Sequence, residues 1–137
     1  MSRPGPDTCT VLPGFDCTTE TFLGTTRAVY RKGTGPAVVI IHEIPGITPE
    51  VAGFGERVAA SGFTAVLPSL FGEPGRPLSA TYAAKTTLSL CVSKEFSLLA
   101  NGRTSPVTNW LRALIDVVHE ECGGPGIGVV GMCATGG

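Results

Sequence analysis

The stretch from Ala37 to Leu67, AVVIIHEIPGITPEVAGFGERVAASGFTAVL, decides the fold class. Ala37 to Ile41 is a continuous apolar run, β-branched at four positions and closed by polar His42 and Glu43, which reads as a strand covered on both faces. Thr48-Pro49-Glu50 then offers an N-cap, a proline at the first helical position and an acid in the first turn. Val51, Phe54 and Val58 follow at i, i+3 and i+7, and Gly62 supplies a stop, so residues 49 to 61 predict an amphipathic helix. Phe63 to Leu67 is the next apolar strand, ended by Pro68. Strand, helix and strand at these lengths make a β-α-β unit, for which a right-handed crossover is expected.

Outward from this unit the signals are uneven. Residues 1 to 20 mix Pro, Gly, Thr and Asp without a period and read as an irregular lead-in, leaving 21 to 137 as the folded part. Thr21 to Arg31 is strand-like and precedes a turn at Gly33-Thr34-Gly35-Pro36; an antiparallel or edge strand fits there. Between Leu70 and Gly102, Pro74, Gly75 and Pro77 mark a loop, while Val92, Phe96 and Leu99 suggest a helix stopped at Asn101-Gly102. Ser105-Pro106 opens a stronger helix, whose apolar stripe of Val107, Trp110, Leu111, Leu114 and Val118 runs until Cys122-Gly123. A short strand, Ile127 to Val130, then leads into Gly131-Met132-Cys133-Ala134-Thr135-Gly136-Gly137.

Composition bounds the partners. The 137 residues are 42% hydrophobic and 15% charged with a formal net charge of -1, and their mean hydropathy is +0.27. An average domain carries about 25% charged residues, so much of this chain should be buried. No cluster of Lys and Arg exists to hold a nucleic acid or an anionic membrane surface. No apolar run reaches a membrane span, and the segment from Met1 to Asp7 lacks the apolar core of a secretion signal, so the cytoplasm is the expected address. Five cysteines, an odd number without a C-x-x-C pair, fit neither a disulfide framework nor a zinc knuckle, and reduced thiols are expected. The expected partner is a small molecule or a protein.

A buried strand running into Gly-x-Cys-x-Thr-Gly has the pattern of a nucleophile elbow, in which a reactive side chain is thrust out on a tight strand-to-helix turn. Glycines flank such a turn because a Cβ would strike neighbouring backbone. A cysteine in the central place differs from a serine, since a thiol is a few per cent thiolate at neutral pH even without a base.

His42-Glu43-Ile44-Pro45-Gly46 after the first buried strand, together with the elbow at Gly131 to Gly137, resembles the dienelactone hydrolase family, whose members have the α/β-hydrolase fold. The similarity covers residues 20 to 137. It implies an α/β fold with a mostly parallel sheet and flanking helices, cut off after the nucleophile strand. Carried over by position, the resemblance makes Cys133 the nucleophile, the backbone N–H groups of Ile44 and Ala134 the oxyanion hole, and Glu43 the carboxylate that helps take the thiol proton once substrate binds. A nearby carboxylate favours the protonated thiol, which protects an idle site from oxidation. The implied reaction is cleavage of a small-molecule ester or lactone with no metal or organic cofactor.

The family's aspartate and histidine lie downstream of the elbow, whereas His42 and His119 both precede Cys133. The 137 residues therefore correspond to the first part of such an enzyme and are expected to be weakly folded and inactive alone. A catalytically dead or truncated remnant acting as an interaction module is the alternative. Arg103 is a candidate for gripping a substrate carboxylate, although a loop arginine ahead of the Ser105 helix is the favoured reading of it. His42 reads as a structural histidine satisfied by backbone. His119 and Cys122 supply only two ligands at one helix end, too few for a metal shell. Gly126 to Gly131 spells G-x-G-x-x-G, but a dinucleotide loop follows a strand and opens a helix, whereas these letters contain the strand.

Overall fold

A computed structural model describes residues 8–42, 46–77, 79–92 and 106–131. Within them lies an α/β arrangement of five strands in one mixed sheet and three helices. The strands are β1 (Asp16–Phe22), β2 (Thr25–Lys32), β3 (Ala37–Ile41), β4 (Thr64–Pro68) and β5 (Gly128–Gly131). The helices are α1 (Pro49–Ala60), α2 (Ala80–Val92) and α3 (Pro106–Cys122). Across the sheet the order is β1-β2-β4-β3-β5. β3 runs parallel to both β4 and β5, while β2 is antiparallel to β1 and β4.

The β-α-β unit forms where its residues direct it. Thr48 caps α1 by accepting from the Val51 amide, Pro49 occupies the first turn, and Val51, Ala52 and Gly55 are buried against the sheet. Val39, Ile40, Val66 and Leu67 are wholly buried, which is why β3 and β4 read as unbroken apolar runs. Full burial of such a side chain contributes about 1.5–3 kcal/mol. The turn before β3 depends on Gly35, whose φ is +106°; a Cβ there would stand 2.3 Å from the Gly62 carbonyl oxygen, so the turn and the end of α1 touch through backbone.

Alternation divides the core between two faces. Ala28, Tyr30, Ile40, Ala65 and Leu67 point toward α1, while Val29, Val39 and Val66 point toward Trp110, Leu114 and Val118 of α3. The apolar stripe expected on α3 is therefore its buried face. Trp110 is fixed there by three contacts. Its indole N–H donates to the Thr25 carbonyl at 2.9 Å, Phe22 meets it edge-on with centroids 5.4 Å apart, and the buried Arg27 guanidinium lies 5.3 Å over its ring.

Three expectations change. The strand expected from Thr21 to Arg31 is a hairpin: Phe22 pairs with Thr25 across Leu23 and Gly24, both at positive φ, the two-residue turn that suits strand twist. The irregular reading of residues 1 to 20 accordingly fails from Asp16 onward, because Asp16–Phe22 forms a strand without an apolar alternation to announce it. Next, α2 at Ala80–Val92 occupies a stretch left unassigned after the Pro74-Gly75 loop; Ser79 caps it, accepting from the Tyr82 amide at 3.1 Å. The helix expected over Val92 to Leu99 lies almost wholly outside the described residues. The third change concerns the thiols. Cys9 and Cys17 form a disulfide with Cα atoms 5.9 Å apart, and Cys122 is free. Counting cysteines could not reveal this pair, since only the fold-back of residues 9–15 onto β1 brings them together.

Candidate active site at the carboxyl ends of β3 and β5

The two motifs singled out in the sequence leave the sheet side by side. β3 and β5 are neighbouring parallel strands in the register Val38 to Gly128, Val39 to Val129, Ile40 to Val130 and Ile41 to Gly131. Their last paired residues, Ile41 and Gly131, therefore stand opposite each other at one end of the sheet. In open α/β sheets ligands gather outside the carboxyl ends of the strands.

His42, the first residue past β3, is fully buried. Its Nε2 accepts the Leu70 N–H at 3.0 Å, and its ring meets Phe71 edge-on at 4.5 Å. That bond requires an unprotonated Nε2, so a neutral ring carries its proton on Nδ1. The Leu70 carbonyl accepts from buried Arg27 at 3.0 Å, and the Ser69 N–H donates to Ala28. The segment leaving β4 is thus gripped by side chains from β2 and β3, and His42 is the backbone-satisfied structural histidine expected of it.

Gly46 approaches the same segment closely. A Cβ on it would lie 3.1 Å from both the Phe71 carbonyl oxygen and the Tyr82 hydroxyl, which gives the glycine of the H-E-x-x-G motif a packing reason. The Gly75 N–H donates to the Ile47 carbonyl at 2.7 Å, tying the start of α1 to the loop after β4. Tyr82, from α2, completes the cluster. Its hydroxyl accepts from the Glu73 N–H and donates to the Glu73 carbonyl, while Arg76 stacks 4.2 Å over its ring and bonds the Glu73 carboxylate at 2.8 Å. Burial is the main cause that raises the Tyr82 phenol above its ordinary value; the Glu73 backbone bond opposes it and the Glu73 carboxylate adds to it.

Every residue assigned a chemical role from the sequence, namely Glu43, Ile44, Arg103, Cys133 and Ala134, lies outside the described residues. Of the residues near them, His42, Gly46 and Gly131 are described, and Gly131 pairs with Ile41, the residue before His42. Sequence reasoning missed Arg27, Tyr82 and the Glu73–Arg76 pair. Arg27 sits in what reads as an ordinary strand, and Tyr82 in a helix without a clear period. Among the described residues no group of three His, Cys, Asp or Glu side chains could hold a metal ion, and no helix is long and apolar enough to cross a membrane.

Among solved structures the chain is similar to a thioesterase domain from the curacin biosynthetic pathway, at 21% identity and a TM-score of 0.45, covering 85% of this chain and 35% of that one. It is also similar to a Vigna radiata epoxide hydrolase mutant, at 17% identity and a TM-score of 0.38, covering 88% and 39% respectively. The chain thus spans between a third and two fifths of the length of these structures. No curated protein matches. The profile of the dienelactone hydrolase family matches residues 20–137, and with both of its expected motifs leaving adjacent parallel strands at one end of the sheet, the chain belongs to that family of hydrolases.

Proposed function

We propose that this chain carries part of a site that cleaves a small-molecule ester or lactone, with Cys133 as the nucleophile. The register of Ile41 opposite Gly131 supports the reading. Glu43 and Cys133 each follow by two residues, a reach of at most about 7 Å, from strands about 4.8 Å apart. A carboxylate and a thiol that follow adjacent strands this closely in sequence can be brought within proton-exchange distance of each other.

In this reading the Cys133 thiolate attacks the substrate carbonyl, the N–H groups of Ile44 and Ala134 hold the developing oxyanion, and collapse of the tetrahedral intermediate breaks the ester C–O bond, the departing alkoxide taking the proton that Glu43 received from the thiol. Glu43 takes the thiol proton as substrate arrives. Arg103 holds a substrate carboxylate, and neither metal nor organic cofactor takes part. We place the protein in the cytoplasm.

Turnover needs a base for deacylation, and neither histidine of the chain suits that role. His42 commits Nε2 to the Leu70 amide, and His119 lies beside Gly124, ahead of β5 and away from its carboxyl end. We therefore expect acylation of Cys133 without turnover by these 137 residues. Intact-mass analysis after brief exposure to an activated phenyl ester tests this. One acyl group should map to Cys133 and be absent from the Cys133→Ala variant. Equal labelling of Cys91, Cys122 and Cys133 would overturn the nucleophile assignment, and steady turnover would overturn the expected inactivity.

A further inference from the structure

The Cys9–Cys17 disulfide closes a strap, residues 9–17, whose interior contributes to the core. Cys17 lies directly across from Tyr30 in the β1–β2 ladder. Tyr30 is fully buried, and its hydroxyl makes both of its bonds to Thr10: it donates to the Thr10 carbonyl at 2.7 Å and accepts the Thr10 N–H at 3.1 Å. Two residues on, Leu12 is 5% exposed and joins Ile47 and Val51 in the core beneath α1. Phe15 packs where a Cβ on Gly55 would fall.

The strap also leans on the candidate site. A Cβ on Gly75 would lie 3.5 Å from Leu12 Cδ1, and the Gly75 N–H holds the Ile47 carbonyl next to Gly46. Leu12 thus lies beside Gly75 and shares a core cluster with Ile47, the two partners of that hydrogen bond.

We propose that Cys9–Cys17 is a reversible redox clasp that sets the order of residues 46–48 and 72–76. Its co-reactant is a dithiol of the C-x-x-C reductase class. Cys9 is the more exposed residue of the pair; in the proposed step a reductase thiolate attacks its sulfur, forming a mixed disulfide and releasing Cys17, which takes up a proton. The reductase's second thiol then displaces Cys9, which also leaves protonated. Two electrons and two protons have passed to the strap, and the reductase is left as a disulfide. The freed strap no longer has a closed loop to limit its disorder, so its open state gains population on the order of tenfold to a hundredfold. Opening strips the Tyr30 hydroxyl of both partners and takes Leu12 from beneath Ile47.

Hydrogen exchange read by mass spectrometry on the purified chain tests the clasp, with and without dithiothreitol. Reduction should speed exchange at least about tenfold in residues 10–15 and raise it at Gly75. The Cys9→Ser, Cys17→Ser double variant should match the reduced parent and ignore dithiothreitol. Unchanged exchange in the reduced parent overturns the proposal, as does a dithiothreitol response that persists in the double variant. If that variant fails to fold, the comparison of oxidised and reduced parent decides alone. Neither arm reads ester cleavage, so the clasp stands or falls separately from the role given to Cys133.

Discussion

The Leu70 amide donates to Nε2 of His42 across 3.0 Å inside a site sealed from solvent. This bond joins the end of β3 to the segment leaving β4, the two connections that border the candidate site. Phenylalanine at position 42 would keep the ring against Phe71 and remove the acceptor, leaving a buried N–H unpaired. His42→Phe should therefore destabilise by about 1–3 kcal/mol. Urea unfolding should show a lower midpoint with an unchanged slope, and a variant within about 0.5 kcal/mol of the parent would show that the bond is not structural.

Gly46 offers a sharper test, because the two atoms in the way of a methyl group are themselves fixed. The Phe71 oxygen belongs to backbone, and the Tyr82 hydroxyl is bonded on both sides to Glu73. Gly46→Ala should cost about 1–3 kcal/mol through overpacking. Tyr82→Phe deletes one obstructing atom, so the double variant should be more stable than the two single losses added together, with a coupling above about 0.5 kcal/mol. Simple additivity would mean that the two residues do not meet.

The same residues show which features were legible in the sequence. Thr48-Pro49-Glu50, the runs at 37–41 and 64–67, and the stripe ending at Val118 carry local signals that tertiary packing reinforces, so α1, α3, β3 and β4 fall within a residue or two of where they were expected. β1 carries no such signal: its threonines, Thr18, Thr19 and Thr21, are all exposed, its half-buried positions are Cys17, Glu20 and Phe22, and a hairpin turn of Leu23-Gly24 lacks the usual Asn-Gly or Asp-Gly mark. In α2, buried positions four apart are held by Tyr82 and Thr86, so no apolar period marks the helix. The Arg27–Leu70 bond joins segments 43 residues apart, and the disulfide, although its cysteines are 8 residues apart, needs the fold-back of the strap onto β1; no spacing rule reaches either. At the candidate site the motifs fixed which strands matter, whereas their register, Ile41 to Gly131, needed the folded sheet.

The chain has two tyrosines, and both are buried donors. Burial is the main cause raising each phenol above its ordinary 10.0, opposed at Tyr30 by the Thr10 bonds and at Tyr82 by the Glu73 backbone bond. The sign of the linkage follows. Below pH 10 both phenols are protonated whether the chain is folded or not, so their contribution to stability is fully present. Above pH 10 the unfolded chain loses these protons first, and stability falls as pH rises toward the folded values. Tyrosinate absorbance should accordingly stay well under half of its maximum at pH 10 and climb only at higher pH, together with loss of the Trp110 fluorescence signature. Half-ionisation at or below pH 10 with the fold intact would place at least one hydroxyl in water, and would remove Thr10 or Glu73 as its partner.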